Sequence, residues 1–533
     1  METARPLSLQ IDEALQPVLR ISDELPLPRY LQVTALILLL STVWSFLTRE
    51  KPLSGFPLIE PNELKWLPSI GWMKSGKEML FRGLAQTKGA FQVMTGTGPK
   101  IVLPNRYADE LRNHPDLNFP KAFAKDLFIT YPGFEPHKTG LTDGTFIQEV
   151  VRVKLTQSLS LVTNDLVDEC TKSFHDLIGE DSQWHVVPIK DNILDIVARL
   201  SSRVFLGEDL AHNQRWLEIA KDYTIDSFAA AFELRLIPGI IRPFVHWVLP
   251  RCRRLRANVR DAEKLIMPEV QKRIERVRKA HEAGVKPPKM SDTIGWMYEV
   301  SRGRKVNYVH GQLSLSLAAI HTTAETTTQA ILDLCQYPEL QEQLRQEAVD
   351  VLSKEGWAKT SLYKLKLMDS FLKESQRTNA MSWHSMNRYV DKDITLSDGT
   401  FLPKGSRFMV SADTYINPTL YPEPEKFRID RFLSLRNQPG QENNWQFVTT
   451  SANHMTFGHG QHACPGRFFA SNEIKIAMCF FLLKYDMKLC EGEGRPPSLE
   501  FEGSNLSNPK AKIQIRRRQE EIEIDITEPV PED

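Results

Sequence analysis

The sequence predicts a mainly α protein: one large helical domain carrying small β-sheets, preceded by an amino-terminal transmembrane helix. Three observations predict it. Apolar residues recur at helical spacing over 147–178, 190–206, 255–283 and 310–353. Strand-like segments are short, near 90–103 and 386–411, and the second contains the turn SerAspGlyThr at 397–400. An uncharged apolar run occupies 31–47, close to the length a bilayer span needs.

Taken in chain order, residues 1–29 form an amino-terminal extension and 30–48 the expected anchor. Arg29 lies before the run and Arg49 and Lys51 after it, with Tyr30 and Trp44 placed for the interfaces. A buried core helix and a cleaved signal peptide are the other readings. The preceding extension and the lack of a small-x-small site before Glu50 disfavour the second. Positive charges nearly balance on the two sides, so charge does not set the orientation. Residues 49–57, with LysProLeuSerGlyPhePro, read as a stiff linker. From 58 to 515 there is no repeat, low-complexity tract or internal boundary, which makes one domain. Residues 516–533 block their charges and read as a frayed tail.

Composition excludes some partners. The 533 residues carry 67 Lys+Arg against 67 Asp+Glu, a net charge of +0, so nucleic acid is not an expected partner. The six cysteines are scattered without a CxxC pair, which suits a reducing compartment and solitary thiols.

One of those thiols stands in unusual company. In ThrPheGlyHisGlyGlnHisAlaCysProGlyArgPhePheAla, 456–470, Gly458 and Gly460 allow a tight turn before Cys464. A helix expected just after it would offer amide donors and a positive end, both favouring a thiolate. The bland reading is a buried Cys acting as a small hydrophobe. A zinc site on His459, His462 and Cys464 is the other alternative, but its spacing lacks the regular pairs of structural zinc sites.

These residues, Phe457-Gly458-x-Gly460-x-x-x-Cys464-x-Gly466, resemble the haem-ligand signature of the cytochrome P450 superfamily. The resemblance implies a P450-type fold over about 55–515, haem b as cofactor, and Cys464 as the axial thiolate of its iron. It places Phe457 beside the macrocycle, with the loop amides tuning the sulfur. His462 stands where the family usually has an arginine for a haem propionate. Other landmarks follow in family order. Glu374-x-x-Arg377 resembles a conserved-helix pair and Arg431, in PheArgIleAspArgPhe, its third member; the three would form a buried structural lock. By helical spacing alone, Glu374 and Arg377 would be an ordinary surface pair. Residues 313–334 read as a long buried helix stopped near Pro338, with five threonines within 322–328 that are otherwise only a tolerated polar patch. In register with the family's oxygen-binding helix, Glu325-Thr326 matches an acid–alcohol pair: Thr326 holds dioxygen and its water, and Glu325 feeds protons. The usual small pair before it is Thr322-Thr323 here. Arg152 and Arg388 are two further expected propionate contacts, with Gln148 at the position where the family often has Trp.

The resemblance implies a monooxygenase fed with electrons from NADPH through a haemoprotein reductase, acting on a lipophilic small molecule. It also implies a single-pass anchor in the endoplasmic reticulum membrane with the catalytic domain facing the cytosol. Lys364, Lys366 and Lys373 are expected to help dock the reductase. The signature segments most resemble fungal members of secondary metabolism, which points to a terpenoid of diterpene or indole diterpene type, hydroxylated or oxidised repeatedly. A polyketide or prenylated aromatic substrate, a haem-thiolate isomerase, and a non-catalytic tethered haem binder are the alternatives. Retention of Glu325-Thr326 argues against the isomerase.

Overall fold

The structure, a computed structural model, describes residues 50–63, 68–142, 145–287 and 289–525, with isolated positions between 31 and 43. Most of the expected anchor therefore lies outside the described residues. Among the described residues no helix is long and apolar enough to cross a membrane.

The chain builds a mainly helical body and a smaller sheet-rich lobe, each around its own apolar cluster. The sheet lobe begins with helix α1 (Pro68–Gln86) and strands β1 (Phe91–Thr95) and β2 (Gly98–Leu103). Residues 51–57 dock on it. Gln92 Nε2 donates to the carbonyls of Leu53 and Phe56, so this linker is part of the lobe. Strand β3 (Leu117–Asn118) follows, then α2 (Phe119–Ala124), which Asn118 caps by accepting from Lys121 N at 2.9 Å. Next comes α3 (Glu135–Thr142).

A π-helical turn at Val150–Leu155, marked by Thr156 N donating to Val151 O, leads into α4 (Leu159–Leu177). After strand β4 (His185–Val187) the helical body continues through α5 (Ile189–Leu206), α6 (Gln214–Leu236) and α7 (Pro250–Glu282). The periodic segment 310–353 divides into α8 (Tyr308–Gln336) and α9 (Glu339–Glu355), with Pro338 between them. Helix α10 (Lys366–Thr378) and strands β5 (His384–Val390) and β6 (Arg407–Ser411) return to the first lobe, where the sheet order is β1-β2-β6-β5-β3. The predicted turn at 397–400 closes a short hairpin, with Gly399 at φ +87. Helix α11 (Arg467–Lys484) then enters the core, and β7 (Tyr485–Leu489) and β8 (Ile513–Arg517) form a second sheet in the order β4-β8-β7. Helix α8 crosses the middle of the body and packs against α3, α5, α6 and α7.

Residues from Arg516 onward are not frayed where they begin. Arg516 pairs with Asp486, Asp525 with Lys484, and Trp357 Nε1 donates to the carbonyl of Ile524, whose side chain is buried. The apolar Ile524 gives this charged segment something to bury, so the domain runs through Asp525.

Glu473 on α11 supplies a pH-dependent weakness. It is fully buried, accepts one hydrogen bond from Ser201 Oγ on α5 at 2.8 Å, and leaves Oε2 without a partner. Burial pushes its carboxyl from 4.5 up to about 8. The folded chain then holds a proton that the unfolded chain releases, so this contribution is complete below 4.5 and is lost as pH rises through 8. The slope is about 1.4 kcal/mol per pH unit across that window. Glu473→Gln should flatten the fall in melting temperature between pH 5.5 and 8.5; parallel curves for the two chains would refute the assignment.

Candidate haem-thiolate site

Cys464 sits in a loop held from several sides. Its amide donates to Phe457 O at 2.7 Å, Gly458 N to Met455 O at 2.8 Å, and Arg467 Nη1 to the Cys464 carbonyl at 2.8 Å. The loop is tied to the sheet lobe by His459 Nε2 to Asp109 at 2.9 Å and by Gln461 N to Asn113 at 2.8 Å. Gly458 and Gly460 both have φ +73, and a Cβ on Gly460 would lie 2.5 Å from the Arg112 carbonyl. Phe457 packs edge-on against Phe447 at 5.4 Å. Gly466 precedes α11 and faces Val151 of the π-helical turn. Burial raises the Cys464 thiol above its usual range, opposed by the amides of Gly466 and Arg467 and by the Arg467 guanidinium. A bound metal ion would deprotonate a thiol so placed.

Two arginines near the loop, Arg388 and Arg152, lack a carboxylate partner among the described residues. Arg388, on β5, is 2% exposed, meets no carboxylate among the described residues, and donates to the carbonyl of Asn387. Burial pulls it down to about 10. His462 stacks on Phe119 at 5.6 Å, while Arg388 lies over the same ring. Burial and the Arg388 charge bring His462 to about 4. Arg152 is exposed and lies near Arg467, again with no carboxylate among the described residues. A buried unpaired guanidinium is costly. A cofactor that brings a ligand position for sulfur and carboxylates for Arg388 would answer both needs, and haem b does. Cys464 would hold the iron, and Arg388, His462 and Arg152 would be the candidates for its propionates.

Across from the loop, α8 is buried along most of its length but opens at Ala318 and Thr322, with Thr326 half-exposed one turn further. The three recur at i, i+4 and i+8, so one face carries a notch. Threonines 322, 326, 327 and 328 each return a hydroxyl to the carbonyl four residues back, Thr326 at 3.0 Å. Thr326 and Thr456, the residue before Phe457, line one small cavity with Glu325, Gln329, Gln376 and Asn379, so the helix and the cysteine loop border the same space. The Nε2 of Gln376 is buried there without a partner.

Glu325 is not a free acid. Its carboxylate accepts from Lys190 Nζ at 3.0 Å, Ser507 N at 2.5 Å, Ser507 Oγ at 2.8 Å and Gln329 Nε2 at 3.0 Å. Neither Lys190 nor Ser507 carries a local motif, so the sequence reading missed both.

Glu374, Arg377 and Arg431 do meet. Glu374 receives Arg377 Nε and Nη2, each at 2.8 Å, and Arg431 Nε at 2.9 Å, with all three side chains buried. The arginines spend their remaining donors on the carbonyls of Tyr415, Pro424, Pro422, Glu423 and Lys426. Lys373 is a correction. Its ammonium is buried and donates to Gln446 O and Thr449 O, so it cannot take part in docking a reductase. Helical spacing puts it beside Glu374 on a face the sequence does not mark as covered.

Comparison with known proteins gives the family. The family model described as cytochrome P450 matches residues 145–517. A cytochrome P450 monooxygenase of Alternaria brassicicola, bsc2, is 46% identical over 484 residues, covering 90% of this chain and 92% of its own. Cytochrome P450 monooxygenase 1 of Gibberella fujikuroi is 43% identical over 437 residues, 81% and 99% of the two chains. Cytochrome P450 monooxygenase adrA of Penicillium rubens is 39% identical over 512 residues, 94% and 99%.

Proposed function

The chain belongs to the cytochrome P450 family, and we propose that it oxidises a lipophilic secondary metabolite of terpenoid type while tethered to the endoplasmic reticulum membrane. As a member of that family it is a monooxygenase that uses haem b and takes electrons from NADPH through a reductase. The observation that carries the site assignment is a single cysteine in a preorganised loop beside an unpaired, buried arginine. When bound, the haem would supply oxygen activation; the protein supplies the ligand and the proton supply.

The residues divide the work. Cys464 would hold the haem iron, flanked by Phe457, with Gly458, Gly460 and Gly466 letting the backbone come close. Thr326 Oγ1 positions a water in the notch of α8, and the proton it relays comes from Glu325. Lys190 Nζ, on the partly solvent-exposed side of Glu325, replaces that proton from bulk water. Four donors hold the Glu325 carboxylate in place, and Lys190 is the one of them that returns the proton Glu325 passes on.

Thr326→Ala tests this reading. The variant should keep its haem and its rate of NADPH consumption within about threefold, while peroxide rather than product takes most of the electrons. Unchanged coupling would refute the relay. The substrate is tested by co-expression with a reductase and candidate terpene precursors, with products read by mass spectrometry. A polyketide product in place of a terpenoid one would overturn the substrate class and leave the chemistry standing.

A further inference from the structure

Phe119 is the first residue of α2, the short helix that Asn118 caps and that packs along β5. Its ring stacks on the His462 imidazole, 5.6 Å between centroids and 26° between planes, and the Arg388 guanidinium lies over the same ring at 5.6 Å. Phe123, one turn further on, presses on it at 4.8 Å. One side chain of the sheet lobe therefore touches both the cysteine loop and β5.

Arg388 has need of that contact. A β-bulge between Ser385 and Arg388, with Met386 at φ +50, breaks the strand register just before it. The Arg388 side chain is buried, donates to the carbonyl of Asn387, and meets no carboxylate among the described residues. A guanidinium so placed is costly without a partner. The face of an aromatic ring carries partial negative charge, and its attraction for a cation strengthens as water is excluded. A leucine would serve for packing alone; it would offer nothing to the charge.

We propose that Phe119 is a positioning residue: its π face holds the Arg388 guanidinium beside His462, in place for the carboxylates of haem. This rests on the haem-thiolate reading above and goes beyond it, because a carboxylate contact by Arg388 needs no ring. Phe119 touches no reacting atom. It acts by keeping a long side chain in one arrangement before the cofactor arrives, so less freedom is lost on binding. The consequence is slower loss of haem, with the chemistry unchanged.

The full chain is tested with Phe119 replaced by phenylalanines carrying one, two or three ring fluorines, which keep the ring's outline while withdrawing negative charge from its face. Transfer of ferric haem to excess apomyoglobin gives the rate of haem loss. That rate should climb with each fluorine, to about tenfold with three, and Phe119→Leu should reach at least the same level. Phe119→Tyr, which keeps the ring face, should stay within about threefold of the parent. In an Arg388→Met background, itself faster than the parent, the fluorines should have no further effect. The melting temperature of each haem-free chain separates these changes from loss of fold. A rate that ignores fluorine number, or a series of equal slope in Arg388→Met, would overturn the proposal and leave the haem reading standing. A parent chain that binds no haem would overturn both.

Discussion

Cys464→Ala should purify as a folded chain without haem. Its haem content should be at least tenfold below that of the parent, and the reduced, carbon-monoxide-treated protein should lack the band at about 450 nm that marks thiolate ligation. The fold should survive because the loop does not depend on the sulfur. Its hydrogen bonds run through the Cys464 amide and carbonyl, and its outer anchors are His459 with Asp109 and Gln461 with Asn113. A far-ultraviolet spectrum matching the parent separates lost ligation from lost structure. Gly460→Ala should also lower haem content, but through the loop rather than the sulfur. It would force a Cβ to within 2.5 Å of the Arg112 carbonyl at a positive φ, disturbing the loop while keeping the thiol. A haem-loaded Cys464→Ala variant with an unaltered spectrum would remove the basis for the site.

The parts of this site that the sequence displays are those written in local spacing. The glycines around Cys464 and the three-residue interval from Glu374 to Arg377 lie within one turn or loop, where backbone geometry alone brings residues together. Helices α5, α7 and α8 were legible for the same reason, since each shows a sustained apolar period. What was not legible depends on contacts between distant segments. Ser507 caps the carboxylate of Glu325 from 182 residues away, and nothing near either residue announces it. Helix α6 was missed because its apolar residues are spread round the axis, some facing the core and others, such as Ile225 and Phe228, exposed. The π-helical turn at Val150–Leu155 and the docking of residues 516–525 are likewise decided by packing.

The burial of the Glu374 cluster gives the largest expected effect on stability. Glu374→Gln keeps the shape but leaves two guanidiniums with no other carboxylate in contact with them among the described residues. Breaking a buried pair by removing one partner costs about 3–5 kcal/mol, against a total stability of roughly 5–15 kcal/mol for a folded domain. The urea midpoint of Glu374→Gln should therefore fall by about a fifth or more, and the soluble yield with it. Arg431→Met should be milder, because Glu374 keeps the bidentate Arg377 and the amide of Arg428 at 3.1 Å. The apolar triple variant Glu374→Leu/Arg377→Met/Arg431→Met should recover part of the loss in Glu374→Gln, since no charge is then stranded. It should not recover all of it, because the carbonyls of Tyr415, Pro422, Glu423, Pro424 and Lys426 would lose the donors that now gather that stretch of chain. An unchanged urea midpoint in Glu374→Gln would show that the cluster is no lock; a triple variant less stable than the single one would show that these carbonyl contacts, rather than charge balance, make it one.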